Sequence, residues 1–458
     1  MLALLRADVR RFRAVARRAV AGGRPKRPSP PVAITGAAAA VTLAAHLGEV
    51  VVALRCPAPR PGEGRVTVPL AALDALAGGS GVVTLEPAGG TAVTARWDAG
   101  PAPRAARLAA VESHRVWPAE PEALVAMPPA FPTALHEAGR AAAREPGKYA
   151  VTRVQVRGAA GEVCGTDGRQ ALAWGGFAFP FADDLLVPAV PVFGSKDLAG
   201  EAAVSVGLAG EWLAVVIGPW QVWLAVDRQG RFPDVHAAAP GACPTRVTLD
   251  ARDAGELLRD LAGLPGRDGD GGAVTIDLGD RVAVRARDDR TGGAAEVRLA
   301  RSAAAGPPKR VAVDRAHLAR ALALGLRDLR VASPERPVAF RGPDRLFLCA
   351  ALDPAAVVPP AGDPDPAQVI APSTPDPVSP DRRTPVPDRD RLPPDRNGHP
   401  AAAAEPLDPA AEAEALRAAL AEAHARAHRL VTALKQFKKE RRALSTAWSS
   451  LKQLNLGP

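Results

Sequence analysis

Four arginines near the start of the chain are spaced so that their side chains could contact a polyanion together. Arg6, Arg10, Arg13 and Arg17 follow one another at steps of three and four residues. Because an α-helix turns once in about 3.6 residues, such a row lies on one helix face. Guanidinium groups in a row bind phosphates through charge, without reading bases, and salt weakens the binding. The row predicts a phosphate-binding helix face, although any one of these arginines could equally be an ordinary surface residue.

No set of residues has the spacing of a catalytic or metal site. His424 and His428 lie one helical turn apart, but a third ligand is missing. The loop DGDGG at 268–272 lacks the further acidic positions of a calcium loop, and a turn explains it. The four cysteines are scattered and form no CxxC pair, which argues against a zinc site and a disulfide framework. We therefore expect a protein that is not an enzyme and that has no cofactor and no metal.

The elements that carry these residues recur along the chain. Six short amphipathic segments lie about sixty residues apart, each preceded by a Val/Leu-rich run and followed by alternating strands. A constant period with one helix and several strands per unit indicates internal repetition. The predicted fold class is therefore α+β, built from six similar units that can close into a ring. The helices are predicted to begin near Asp8, Pro69, Pro129, Pro188, Asp250 and Asp314.

Pairs of consecutive units divide the folded part of the chain into three similar domains. Strand patterns are clearest in the second of them, where AVSVGL, EWLAVVIG and QVWLAVD alternate or run apolar around a Gly-Pro-Trp turn. Each domain would contain two helix-plus-sheet units. The domains are predicted at residues 1–122, 123–245 and 246–354.

The rest of the chain has a different composition. Residues 354–400 hold fourteen prolines and almost no large apolar side chain. Such a segment cannot bury enough surface to offset its ordering entropy, so a disordered Pro-rich linker is predicted at 355–404. Apart from Arg441, apolar residues then recur at steps of four and three from Leu416 to Leu451. This pattern predicts a coiled-coil helix at 405–458, with a long helix that packs on the body as the alternative.

Composition also indicates which partners and which cellular location to expect. The formal net charge of +9 favours a polyanionic partner. The most apolar stretch, residues 32–54, is interrupted by His46 and Glu49 and is typical of a hairpin, not of a membrane span. The N-terminus lacks the apolar core of a secretory signal. We expect a cytoplasmic protein without membrane contact.

Two short strings carry a resemblance to a known family. TDGR at 166–169 stands between two predicted strands, and RFPD at 231–234 follows the last strands of the second domain. Together they resemble the ATDGHRLA and DGRFPDY signatures of the bacterial DNA polymerase III beta subunit, the sliding clamp. GGRP after the first helix, VTVP before the second and LLVP before the fourth follow in the same order. The resemblance covers roughly residues 1–354.

This resemblance implies a homodimeric ring, closed head to tail, whose helices line a channel for double-stranded DNA. It implies a processivity factor of DNA replication and a docking platform. The implied partners are DNA polymerase III subunits, a clamp loader and other proteins with clamp-binding motifs. Besides the arginine row, the implied DNA-binding residues are Arg24, Lys148 and Tyr149. The family's partner-binding cleft maps to Val151, Thr166, Gly168, Arg169, Gln170, Ala171, Pro233, Ala237, Ala238, Leu348, Cys349 and Ala350.

Departures from the family pattern leave a second function open. Ala189 and Val190 stand where the family usually has basic residues, and the second predicted helix has no cation. Alanines replace larger residues in the cleft, and the chain continues beyond residue 354, where a typical clamp ends. The alternative is an interaction scaffold that kept the clamp fold, oligomerises through its coiled coil and no longer encircles DNA.

The last six residues, QLNLGP at 453–458, resemble the QLxLF peptides that dock on sliding clamps, without the final aromatic. Two interpretations follow. The segment docks into a cleft of its own ring or of another clamp, or it is the end of a coiled coil.

Overall fold

The computed structural model describes residues 1–20, 29–99, 102–112, 117–199, 203–266, 272–288, 293–360 and 369–370. The chain divides into two units, Met1–Asp376 and Pro377–Pro458. The predicted coiled coil and most of the predicted linker lie outside the described residues. Among the helices of the described part, none is long and apolar enough to cross a membrane.

Six α-helices are present in the described residues, at the six places that the sequence predicts. Two of them begin after an aspartate that caps the helix, because a side-chain oxygen at this position satisfies free backbone N–H groups. Asp250 accepts from the N–H of Arg252 and Asp253, and Asp314 accepts from that of Ala316. The helices are α1 (Arg6–Ala19), α2 (Leu73–Leu76, after a 3-10 turn at Leu70–Ala72), α3 (Phe131–Ala141), α4 (Lys196–Ala199, after a 3-10 turn at Pro191–Gly194), α5 (Ala251–Asp260) and α6 (Arg315–Ala323).

Two large sheets join segments that lie far apart in sequence. The eight-stranded sheet contains, in spatial order, β5 (Gly64–Pro69), β2 (Pro31–Ala37), β3 (Ala40–His46), β4 (Val50–Pro57), β16 (Trp220–Ala225), β15 (Trp212–Ile217), β14 (Val204–Ala209) and β9 (Val125–Met127). The nine-stranded sheet contains β13 (Asp184–Pro188), β10 (Arg153–Arg157), β11 (Glu162–Thr166), β12 (Gln170–Trp174), β25 (Arg345–Cys349), β24 (Val338–Arg341), β23 (Asp328–Val331), β17 (Thr245–Thr248) and β21 (Ala304–Ala305). The β4–β16 and β12–β25 pairings carry each sheet across a predicted domain boundary, so the three-domain division stays a prediction.

Two smaller sheets complete the strand architecture of the described residues. The four-stranded sheet contains β1 (Leu2–Leu5), β6 (Val82–Pro87), β7 (Ala92–Ala99) and β8 (Ala102–Ala109), with β1 and β8 at its edges. The five-stranded sheet contains β22 (Lys309–Asp314), β18 (Ala273–Leu278), β19 (Val282–Arg287), β20 (Ala294–Arg298) and β26 (Val369–Ile370). Only the β20–β26 pairing is parallel among the described strand pairs.

Helices pack on the sheets through apolar side chains and, at one point, through bare backbone. Phe12 of α1 stacks on Trp220 of β16 with ring centroids 6.5 Å apart, and both side chains are fully buried. At Gly165 in β11, a Cβ atom would lie 2.0 Å from the carbonyl oxygen of Ala138 in α3. Only glycine permits this approach. The contact fixes α3 directly on the β11–β12 hairpin.

The folded body extends a few residues beyond the predicted boundary at 354. Pro354–Ala356 forms a 3-10 turn, and Val358 is buried. The backbone N–H of Val358 donates to Thr275 Oγ1 at 2.8 Å. Two adjacent valines give this short segment the apolar surface that most of the Pro-rich stretch lacks. The first residues of the predicted linker therefore belong to the folded body.

Candidate partner-binding cleft and arginine face

The turn between β11 and β12 is fixed by side-chain hydrogen bonds to its own backbone. Gly168 has a φ of +85°, a conformation that favours glycine. Asp167 Oδ1 accepts from the N–H of Arg169 at 2.8 Å and of Gln170 at 2.9 Å. Thr166 Oγ1 accepts from the N–H of Gly168 at 3.0 Å and donates to the carbonyl of Gln170 at 2.7 Å. The TDGR string therefore encodes a rigid turn.

A second turn, within residues 233–238, faces this hairpin. Asp234 Oδ1 accepts from the N–H of Ala237 at 3.1 Å and of His236 at 2.9 Å. These bonds, the one from Ala237 foremost, hold the pKa of Asp234 below its usual value. His236 Nε2 lies 2.9 Å from Glu162 Oε2, which ties the turn to β11. The turn places Val235 in a buried position.

The two turns and the end of β25 enclose one cavity of about 150 Å³. It forms because β12 pairs with β25, with Ala171 opposite Leu348. Nine of the twelve predicted cleft residues line the cavity. Its lining consists of Thr166, Gly168, Arg169, Gln170, Ala171, Pro233, Asp234, Val235, Ala238, Pro337, Leu348 and Ala350.

Three predicted cleft residues do not line this cavity. Cys349 is fully buried in the main core, and burial raises the pKa of its thiol. Its neighbour Leu348 faces the cavity because successive strand residues point to opposite faces. Ala237 is exposed, and its N–H is used by the Asp234 turn. Val151 is half-buried, and its carbonyl accepts from the N–H of Ala143 at 2.8 Å.

Three lining residues were missed by sequence reasoning. Asp234 and Val235 directly follow Pro233 within the RFPDV string, so the string itself was a signal for them. Pro337 lies just before β24 and reaches the cavity only through the pairing of β24 with β25. Nothing in the sequence around Pro337 indicates this role.

The cleft has an apolar floor and a cationic rim. Buried side chains of one small cluster, among them Ala171, Val235 and Leu348, form the floor. Arg169 is exposed at the rim, and its guanidinium has no ion-pair partner among the described residues. Such a groove can take apolar side chains of a short peptide while the rim contacts its polar groups.

The arginine face of α1 consists of Arg10, Arg13 and Arg17, and it is partly neutralised. Arg10 and Arg17 are exposed, and Arg10 Nη1 donates to the carbonyl of Gly79 at 3.2 Å. Asp74 of α2 lies 2.6 Å from Arg13 Nε and 2.9 Å from Arg17 Nη2. One carboxylate thus serves two guanidinium groups and leaves positive charge on the face. Sequence reasoning missed Asp74, because its neighbours come from another helix.

Arg6 belongs to the same helical row but has a different environment. It is only 7% exposed. Its Nε donates to the carbonyl of Leu76 at 2.9 Å, and its guanidinium lies 5.2 Å from the ring centroid of Trp97. Helical spacing places Arg6 in the row, whereas packing of the helix start against α2 and β7 removes it from the surface. Arg24 lies outside the described residues.

Lys148 and Tyr149 lie in the loop between α3 and β10, and both are exposed. The Nζ atom of Lys148 lies 5.7 Å from the ring centroid of Tyr149, a cation–π contact. The pair offers a cation and an aromatic ring side by side, which suits contact with a phosphate and a sugar or base.

Comparisons with known proteins relate the folded body to one group of structures. No protein-family model matches the chain, and no curated protein matches it. The DNA polymerase III subunit beta from Pseudomonas aeruginosa aligns with a TM-score of 0.62 at 16% identity, over 77% of this chain and 99% of that one. The DNA polymerase III beta subunit from Thermotoga maritima gives 0.63 at 13% identity, over 77% and 99%. A putative beta subunit from Eubacterium rectale gives 0.64 at 11% identity, over 78% and 100%. The chain has the sliding-clamp fold.

Within this clamp fold a larger basic cavity, of about 990 Å³, adjoins the cleft, and Gln170 lines both. Arg320 of α6 is buried there. It donates to the carboxylate of Glu137 in α3 and to Gln170 Oε1, each at 3.0 Å, and burial lowers the pKa of Arg320. This link joins two helices to the cleft hairpin. The other basic residues that line the cavity, none of them marked by a motif, are Arg140, Arg144, Arg153 and His317.

Proposed function

We propose that this protein is a sliding-clamp-like platform, a non-enzymatic ring that encircles double-stranded DNA and docks replication and repair proteins in its cleft. The observation that carries the proposal is the cleft itself. Residues 166–171, 233–238 and 348–350 meet at one apolar cavity within a clamp fold. The occupants proposed for it are short motifs of DNA polymerase III subunits, a clamp loader and other clamp-binding proteins.

DNA contact is proposed for the arginine face of α1 together with Lys148 and Tyr149. The exposed guanidinium groups of Arg10 and Arg17 carry charge that phosphates can neutralise. Arg6 is left out of this proposed set because it is buried. Contacts of this kind do not depend on base sequence, which suits a ring that slides along DNA.

Ring closure is proposed through sheet edges. Strand β8 is an edge strand, and most of its residues are exposed. Open edges of this kind pair readily with another strand. A head-to-tail homodimer would bring β8 of one subunit to the five-stranded sheet of its partner, and the repeated pairing would close the ring.

The test uses the full-length protein and nicked circular duplex DNA. In the triple variant Arg10→Gln/Arg13→Gln/Arg17→Gln, affinity for DNA should fall. The slope of log K against log salt should decrease by about 0.9 for each phosphate that the variant no longer neutralises. Glutamine removes the charge without setting a carboxylate against Asp74. Binding would be measured by retention on the circle across a salt series.

A matched control removes the same charge elsewhere. Arg55, Arg60 and Arg65 are exposed. Leu54 and Cys56 pack in the main core with Phe12, so Arg55 lies on the opposite sheet face from α1. The triple Arg→Gln variant at these positions should bind DNA like the wild type. An equal fall in affinity in both triples would mean that net charge, and not the α1 face, governs binding.

A second candidate function is a clamp-fold scaffold that no longer encircles DNA. The pairing of Arg13 and Arg17 with Asp74 favours it, because it lowers the charge of the arginine face. Ala189 and Val190, which are half-buried and buried, add no cation near α4. This candidate predicts an oligomer that binds partner peptides but does not load onto DNA. If the wild type shows no salt-sensitive retention on DNA, the scaffold function is favoured over the DNA-encircling one.

A further inference from the structure

Part of the Pro-rich segment pairs with the edge of the five-stranded sheet. Strand β26 runs parallel to β20, with Val369 opposite Glu296 and Ile370 opposite Val297. On its other side β20 pairs with β19. Within the described residues, β26 therefore covers the edge of β20 that would otherwise be open.

The sequence explains why this dipeptide is suited to strand pairing. Val369 and Ile370 are the only two adjacent large apolar residues between Pro359 and Pro406, and both are β-branched. Proline has no N–H to donate to a strand ladder. Pro366 and Pro372 therefore limit any pairing segment to the five residues AQVIA.

The edge of β20 is a well-fixed template. Val297 is fully buried in the main core. Glu296 accepts hydrogen bonds from the guanidinium groups of Arg285 and Arg298. Buried side chains and ion pairs of this kind hold the strand in place whether or not a neighbour is present. The register sets Ile370 opposite Val297, the buried residue of the edge.

The chain before β26 is attached to the same sheet at Val358, so the segment can reach the edge of β20 within one molecule. Val358 is bound to Thr275 of β18. From β18 to β26 there are three strand spacings, about 14 Å. The eleven residues from Val358 to Val369 can span about 36 Å when extended, so reach is not limiting. A tether of this length gives a local concentration near the millimolar range.

We propose that Val369–Ile370 acts as an intramolecular strand that occupies the sheet edge of β20 and competes there with a second copy of this chain. Its role in ring closure rests on the proposed function, because the five-stranded sheet is the surface that β8 of a partner would join. Release of the segment would open this edge. The linker thereby sets the protein concentration at which rings close.

The test compares full-length wild type with the Val369→Pro/Ile370→Pro variant, which cannot donate to the ladder. The control is Val378→Pro/Val386→Pro, which adds two prolines to the same Pro-rich segment. At protein concentrations too low for any of the three proteins to dimerise, amide hydrogen exchange of residues 294–298 should be slower in the wild type and the control than in the variant. Because the docking is intramolecular, this protection should not change with protein concentration.

Sedimentation then measures the dimer. If the edge is occupied in about nine tenths of the molecules, both subunits must release it to close the ring. The variant should then dimerise with a Kd about a hundredfold lower than the wild type. Equal exchange of β20 in wild type and variant overturns the proposal. So does a variant Kd that equals that of the wild type while both dimerise. If exchange is slower in the wild type but none of the three proteins dimerises, strand docking is supported. The same result refutes the proposed ring closure.

Discussion

The cleft and the arginine face of α1 are built from different kinds of contact. In the cleft, each of the two turns is held by an aspartate that binds N–H groups of its own backbone, and the floor is apolar. On α1 the surface consists of long charged side chains from a single helix, and a carboxylate from α2 partly neutralises them. The cleft is therefore fixed by geometry, whereas the arginine face is set by a balance of charges. We expect binding at the cleft to depend on the shape of the ligand, and binding at the arginine face to depend on the salt concentration.

The largest expected effect comes from breaking the support of the cleft at Gly165. In Gly165→Ala the new Cβ would lie 2.0 Å from the Ala138 carbonyl, so α3 and β11 must separate. We expect a decrease of about 2–3 kcal/mol in the free energy of unfolding, together with weaker peptide binding. Denaturant unfolding measures the first. Gly241→Ala is the control, since no atom lies within 4 Å of a Cβ there.

A smaller change tests whether the cavity itself is the docking site. Ala238 is exposed and lines the cavity, so Ala238→Trp should fill it without disturbing the core. We expect affinity for a QLxLF peptide to fall at least tenfold, on the order of 1.4 kcal/mol, with little dependence on salt. Ala237→Trp changes the adjacent exposed alanine, which does not line the cavity, and should bind normally. Equally weak binding by both variants would place the peptide elsewhere.

The positive charge of the arginine face can also be increased, the reverse of its removal in the Arg→Gln variants. Asp74→Asn frees the guanidinium groups of Arg13 and Arg17 from their shared carboxylate. An exposed ion pair is worth about 0.5–1 kcal/mol, so affinity for duplex DNA should rise about two- to fivefold at low salt. Glu86→Gln removes an equal charge that pairs with Arg96 and serves as the control. A variant with unchanged affinity would show that this face does not touch DNA.

The smallest expected effect is a pH dependence at the cleft. The pKa of Asp234 is lowered by the N–H groups of Ala237 and His236. The stabilisation that ionised Asp234 provides is therefore fully present above the pKa of the unfolded state, about 3.9. It is lost as the pH falls through the lower pKa of the folded state. The stability difference between wild type and Asp234→Asn should be constant from pH 7 to 5 and change below about pH 4. It should be small, because Asp234 is exposed. Denaturant unfolding at a series of pH values measures it.

Much of the fold and of the cleft follows from local patterns. Helical spacing and the strand runs before each helix predict all six helix positions, and Asp250 and Asp314 cap two of them. The TDGR string lies between two predicted strands and forms the turn between them, where Asp167 binds backbone N–H groups. In the RFPD string, Asp234 binds backbone N–H groups in the same way. The wider helical pattern fails at Arg6, which shares the spacing of the row but lies buried against Trp97.

By itself, the sequence determined the repeat, the helix starts and the turns, because these depend on residues a few positions apart. Only the tertiary structure decided that Pro337 reaches the cleft, that Arg320 links Gln170 to Glu137, and that β26 lies along β20. It also decided that Asp74 meets the arginines of α1. Each of these contacts joins segments far apart in the chain. A given arginine could pair with several carboxylates, and a given strand could pair with several sheet edges. Packing decides between them, and no local pattern encodes that choice.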